Sequence, residues 1–266
     1  MTKFTIPIYQ PDLSGNEKKY VNECLDTSWI SSRGRFVSEF EAQFAERIGI
    51  GHAASVCNGT VALHLALLAL GISPGDEVIV PTLTYIASAN AISHTGATPV
   101  FVRLAPPDWR YEQEAIARAI TARTRVLILN NPLNPTGSVA SDTELAMLAD
   151  ICVRHDLVAI CDEVWEQVRF DGQPHRSLLT YPGMGDRTLK IGSAGKIFGV
   201  TGWKIGWMCA APEMAGMAAR AHQFLTFTTP PALQYAIAEG LTDDTLIDSR
   251  TDGWAASRQR LNDGLV

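Results

Sequence analysis

The sequence predicts an α/β fold with a mostly parallel mixed sheet flanked by helices. Two observations carry this. From His52 onward, short apolar runs alternate with amphipathic stretches, the pattern of strands joined by crossover helices. The 266 residues are 46% apolar, enough for one large core or a large domain with a small one.

Taken in order, residues 1–50 read as an N-terminal arm with helices. A loop with Pro7, Pro11 and Gly15 leads into a polar helix near 17–25, and a second helix runs from about 37 to 47. Residues 51–243 read as the α/β domain. Its expected strands are 53–57, 77–80, 99–102, 125–129, 158–161, 189–191 and 205–209. Its expected helices are 60–70, 85–93, 112–120, 142–155 and 212–224. Residues 244–266 read as a linker helix whose opening acids suit the helix dipole.

Composition narrows the function. A net charge of −6 points away from nucleic acid and reads as an ordinary soluble surface. The five cysteines, Cys24, Cys57, Cys152, Cys161 and Cys209, show neither metal nor disulfide-framework spacing, and three lie in apolar contexts that suit buried thiols. No metal site is expected. The start, Met1-Thr2-Lys3-Phe4, has no signal-peptide apolar core, and no run reaches membrane-spanning length, so the expected location is the cytoplasm.

The chemistry lies in three ordered motifs: Asn134-Pro135-Thr136-Gly137, then Cys161-Asp162-Glu163-Val164-Trp165, then Ser193-Ala194-Gly195-Lys196 with Thr201-Gly202-Trp203-Lys204 behind it. A hydroxyl three residues before a lysine can hold a phosphate while the amine forms a Schiff base with an aldehyde. Ser-x-x-Lys also occurs in penicillin-binding enzymes, but their Ser-Asp-Asn and Lys-Thr-Gly partners are absent. Asp162 closes an expected strand, where ligands of open α/β sheets bind. A carboxylate there can keep a pyridine nitrogen protonated through a charge-assisted bond. Its plainer alternative is a cap on the following turn, and that of Lys196 is a solvated surface lysine. Asn58-Gly59-Thr60 lies between a strand and a helix, where backbone N–H groups can bind phosphate. Alone, that segment reads more simply as a turn with Thr60 as N-cap; the downstream motifs favour phosphate.

In this order and spacing the motifs resemble fold-type I pyridoxal-phosphate (PLP) aminotransferases. Residues from about 4 to 102 resemble the DegT/DnrJ/EryC1/StrS sugar aminotransferases, of the GDP-perosamine synthase type. The matching segments are 6–11, 29–34, 58–64 and 75–88. Residues from about 103 to 266 resemble class I aminotransferases of the kynurenine/glutamine transaminase type, through 192–196 and 201–204. The chain thus reads as a chimera of two homologous halves joined near 100–104.

The resemblance implies a role for each site residue. Gly59, Thr60 and Ser193 match phosphate ligands, and Tyr85 the aromatic stacked on the cofactor ring. Asn134 matches the residue bonding the ring hydroxyl, with a peptide to Pro135 that can be cis. Asp162 matches the pyridine-nitrogen aspartate and Lys196 the Schiff-base lysine and general acid–base. Lys204 stands where many relatives have a phosphate-binding arginine, and Trp165 where many have a tyrosine. The resemblance also implies a homodimer, with the apolar stretch 224–231 as a candidate contact. The class I carboxy-terminal small domain, which supplies an arginine for the substrate carboxylate, is expected beyond Val266 and is missing here.

The expected function is amino transfer from a glutamate- or glutamine-like donor to a keto-sugar nucleotide or a 2-oxo acid. A PLP-dependent β-lyase and a PLP-binding scaffold with little turnover are the alternatives.

Overall fold

The structure is a computed structural model that describes residues 15–30, 35–48, 52–170 and 172–265. The loop expected around Pro7 and Pro11 and the motif segments at 6–11 and 31–34 lie outside the described residues.

Among the described residues, seven strands form a single sheet: β1 (His52–Val56), β2 (Glu77–Pro81), β3 (Thr98–Val102), β4 (Thr124–Asn130), β5 (Val158–Asp162), β6 (Thr188–Ser193) and β7 (Gly206–Ala210). Their order is β1-β7-β6-β5-β4-β2-β3. All neighbours are parallel except β7, which runs antiparallel to both β1 and β6. The expected mostly parallel mixed sheet is present, and each of the seven expected strands matches an observed one within two residues at either end.

The strands read as apolar runs because both sheet faces are covered. In β4, Val126 and Ile128 enter one core, whereas Leu127 and Leu129 enter the other. The first core is closed by α3 (Gly59–Ala69), α4 (Ala87–His94) and α8 (Pro212–Leu225) through Leu63, Leu67, Ile92, Met214 and Ala218. The second is closed by α5 (Gln113–Ala119) and α6 (Asp142–Arg154) through Ile116, Leu145, Leu148 and Ile151. Helix α6 starts with a complete capping box. The Ser141 hydroxyl accepts from the Glu144 N–H, and the Glu144 carboxylate accepts from the Ser141 N–H at 2.9 Å.

Helices α1 (Glu17–Asp26) and α2 (Arg35–Ile48) pack on α9 (Pro231–Gly240), a helix the sequence reading misses. Tyr235 of α9 stacks on Phe36 with ring centroids 3.9 Å apart and meets Tyr20 edge-on at 4.7 Å. Phe40 and Phe44 of α2 close a third core around the fully buried Trp207. The short helix α7 (Ala194–Ile197) follows β6 directly, and α10 (Asp244–Gly264) ends the chain. No helix among the described residues is long and apolar enough to cross a membrane.

One local expectation, the start of α4, is corrected, and the plainer alternative for 58–60 also differs from what is found. The N-cap of α3 is Asn58, not Thr60: the Asn58 side chain accepts from the Val61 N–H at 3.0 Å. Helix α4 begins at Ala87, so Tyr85 lies in the preceding turn rather than on the helix. Of the cysteines, Cys24, Cys152, Cys161 and Cys209 are buried and Cys57 is half-buried, and no disulfide joins them.

Candidate active site

Three neighbouring parallel strands end together at one rim of the sheet. The last residues of β4, β5 and β6 are Asn130, Asp162 and Ser193. They open into a cavity of about 460 Å³ at the carboxyl ends of the strands. All nine residues singled out from the sequence line this cavity: Gly59, Thr60, Tyr85, Asn134, Asp162, Trp165, Ser193, Lys196 and Lys204.

Each is brought there by a local cause. Asn58 caps α3, which leaves Gly59 and Thr60 in the first turn, where helix geometry gives their N–H groups no intrahelical acceptor. Gly59 is needed for space as well: an added Cβ would meet Val164 Cγ1 at 3.2 Å. Asn134 is held by Asn130, whose side-chain oxygen accepts from the Asn134 N–H at 2.8 Å and whose amide donates to the Asp162 carbonyl at 3.1 Å. The Asn134–Pro135 peptide is cis. Thr201 donates to the Gly195 carbonyl at 2.9 Å, tying the lysine helix to the turn that carries Lys204. Lys204 has φ +56°, a left-handed conformation uncommon for a residue with a side chain. Tyr85 stands at the rim, 54% exposed. Asn58, Cys57, Asn130 and Thr201 also line the cavity and carried no role in the sequence reading. Asn130 was findable, since it lies four residues before Asn134 at the end of an expected strand.

Asp162 is the electrostatic centre of the site. It is buried, and its carboxylate accepts one long bond, 3.4 Å, from the Val164 N–H. Burial pushes its carboxyl up to about 6, against the pull of that N–H and of the Lys196 ammonium, with Glu163 pushing the same way as burial. Lys196 Nζ lies 4.5 Å from the centre of the Trp165 ring, within cation–π range.

Behind the cavity wall is a buried charge cluster that sequence reasoning missed. Lys190 of β6 pairs with Glu166, and with Glu163 at 3.4 Å. His175 Nε2 meets Glu163 at 2.9 Å, and Ser177 donates to the other Glu163 oxygen at 2.8 Å. Burial pulls Lys190 toward the neutral amine, but Glu166 and then Glu163 more than reverse this, so its ammonium is held above the usual range. Burial likewise raises Glu163, and Lys190, His175 and Ser177 together bring it below the usual carboxylate range. Glu163, Glu166 and His175 have the spacing of metal ligands, yet the cation between the two carboxylates is the lysine's own ammonium.

Comparison with known proteins defines the class first. The structure of N-succinyldiaminopimelate aminotransferase from Mycobacterium tuberculosis matches with a TM-score of 0.88 and 33% identity, over 97% of this chain and 71% of that one. The fold is that of the fold-type I aminotransferases. A model of the DegT/DnrJ/EryC1/StrS aminotransferase family matches residues 11–163, and the chain belongs to that family. GDP-perosamine synthase of Escherichia coli O157:H7 is 44% identical over 195 residues, covering 72% of this chain and 52% of that protein. Kynurenine–oxoglutarate transaminase of Dictyostelium discoideum is 34% identical over 230 residues, covering 80% of this chain and 51% of that protein. The chain therefore spans about half the length of the curated relatives it matches.

The cofactor of this family is pyridoxal phosphate. The residues present fit it. The buried Asp162 carboxylate has one weak protein donor and faces the cavity, as an acceptor awaiting an N–H group does. Two lysines, a helix N-terminus and a serine hydroxyl supply donors for a phosphate and an amine for an aldehyde.

Proposed function

We propose that this chain forms the cofactor-binding part of a PLP-dependent aminotransferase. The observation that carries the reading is one cavity in which Asp162, Lys196 and the N-terminus of α3 face a common space. When bound, the cofactor supplies an electron sink that allows the C–H bond at an amino acid's α-carbon to break and re-form. Asp162 accepts the ring N–H and keeps that proton in place. The N–H groups of Gly59 and Thr60, the Ser193 hydroxyl and the Lys204 ammonium bind the phosphate. Tyr85 would cover the ring and Asn134 would bond its hydroxyl, and Trp165 lies beside the Lys196 amine. Lys196 would hold the cofactor through its aldehyde and, as a free amine, would move a proton as general acid–base.

The test is covalent mapping. Borohydride reduction of the PLP-loaded protein, followed by peptide mass analysis, should place a pyridoxyl group on Lys196. Its appearance on another lysine, or on none despite bound PLP, counts against the assignment.

The donor we propose is a glutamate- or glutamine-like amino acid, and the acceptor a keto-sugar nucleotide or a 2-oxo acid. These follow the relatives, and a β-lyase would use the same site on a different substrate. A second reading, a PLP-binding unit with little turnover, is favoured by one observation: no arginine lines the cavity among the described residues. Loss of the PLP absorbance on adding glutamate separates the transferase from that reading.

We also propose a homodimer. Phe224 and Phe227, 87% and 64% exposed, stand at the end of α8 on the stretch expected to meet a neighbour. Light scattering of the PLP-loaded protein at micromolar concentration should give twice the chain mass, and a monomer mass would refute it. The proposed join of two homologous halves near 100–104 falls at the end of strand β3, and two strand pairings, β1–β7 and β2–β4, cross it.

A further inference from the structure

The turn after β5 is two-sided. Asp162 and Trp165 line the cavity, while Glu163 and Glu166 point to the opposite side and meet Lys190. The turn is closed by the Glu166 N–H donating to the Glu163 carbonyl at 2.9 Å. Glu163 is fixed again by His175 and Ser177, so each of its oxygens has a partner. Glu166, by contrast, has Lys190 as its one ion-pair partner among the described residues. Lys190 lies on the strand that ends in Ser193 and leads to Lys196. One ammonium therefore ties the turn that carries Trp165 to the strand that leads to Lys196.

We propose that Lys190 is a positioning residue: clamped between Glu163 and Glu166, it holds the 163–166 turn so that the Trp165 indole stays over Lys196. Lys190 touches neither the cavity nor the reacting groups, and acts through the turn. The charged and titratable groups around the clamp are Cys161, Asp162 and Glu163 from β5 and its turn, Glu166, His175 from the following loop, and Cys209 from β7. The indole is worth holding because a cation–π contact fixes the direction of an otherwise flexible amine. The consequence for cofactor capture rests on the reading of the cavity as a PLP site; the placement of Trp165 does not.

The test variant is the double substitution Lys190→Met/Glu166→Leu. It removes both halves of the pair and leaves Glu163 bonded to His175 and Ser177. Losing Lys190 also takes the cation from the buried Glu163 and leaves that carboxylate on His175 and Ser177 alone, so the melting temperature should fall while the fold holds. Acrylamide quenching of Trp165 is read in cofactor-free protein, as the difference between each protein and the same protein carrying Trp165→Phe. Quenching should rise in the double variant; unchanged quenching in a folded double variant overturns the proposal. If the double variant does not fold, Glu166→Gln, which keeps an acceptor but loses the charge, is read in the same way, with the same two outcomes. PLP affinity of the folded variant should fall by about tenfold, the scale of coupling within one bonded network. Trp165 freed with PLP affinity unchanged also overturns the positioning role. If the parent protein binds no PLP at all, the cofactor reading fails and the quenching result still decides the placement of Trp165.

Discussion

Asp162→Asn should make the cofactor-free protein more stable at neutral pH and weaken its hold on PLP at the same time. The Asp162 carboxyl is raised from its ordinary 3.8 to about 6, chiefly because burial penalises the charged form. Between those values the folded chain keeps a proton that the unfolded chain has released. Stability of the parent therefore falls as pH rises through this window and levels off above about 6. Asparagine has the same size and no charge, so the gap between variant and parent opens from about pH 4 and is full above pH 6. The raised carboxyl corresponds to a penalty of up to roughly 3 kcal/mol, or a rise in melting temperature on the order of 5 °C. PLP affinity should move the other way. Loss of a charge-assisted acceptor costs tenfold or more in affinity, about 1.5 kcal/mol or above. Thermal melts from pH 4 to 8 and PLP titrations followed by absorbance check the two halves separately. Coincident melting curves across the range would remove the buried-charge argument, and unchanged PLP affinity would remove the facing assignment.

Gly192→Ala is expected to be the most damaging small substitution in the site's frame. Gly192 pairs with Trp207 across β6 and β7, and the indole lies over the space where a side chain would start. A Cβ at residue 192 would fall 1.9 Å from Trp207 Nε1 and 2.3 Å from Cε2. Trp207 cannot yield, because Phe44 packs on it with ring centroids 4.1 Å apart and Phe40 at 6.4 Å. Overpacking of this kind costs typically about 1–3 kcal/mol and occasionally more, and with an unyielding indole the upper end applies. The displaced backbone is that of Ser193, so PLP binding should fall together with the melting temperature. Pairing the change with Trp207→Leu should recover part of the lost stability, since the smaller side chain vacates the contested space. A Gly192→Ala protein that melts with the parent would show that the strands separate more easily than the packing implies.

These outcomes bear on how much the chain disclosed in advance. The seven strands were legible because each is a short apolar run bounded by polar or turn residues, and burial on both faces makes that signal strong. Helix α9 was hidden by Pro230-Pro231, which reads as a break; in the structure Pro231 opens the helix, where its missing N–H is harmless. The alternative that put the cap at Thr60 was two residues off because Thr60 is also a good capping type, and the backbone at Asn58, extended at φ −175°, decides between them. The nine site residues were legible because they lie in compact motifs at strand ends. The Lys190 clamp was not: its two acids are 24 and 27 residues from the lysine, and a buried lysine in a strand leaves no periodic mark.

The placement of β7 has a consequence in time. Because β1 pairs only with β7 among the described residues, residue 52 finds its partner at residue 210, and β4 to β7 lie between β1 and the β2–β3 pair. A nascent chain that has emerged through β3 holds one strand without a neighbour and a two-strand pair with an open edge. The open edge of β2 is covered once β4 emerges about 20 residues later, whereas β1 waits about 100 further residues for β7, so the sheet grows across from the β3 edge and its first strand is last to dock. Long-range pairing of this kind folds slowly and leaves strand edges exposed on the way. During synthesis β1 is thus the strand that waits longest for its partner.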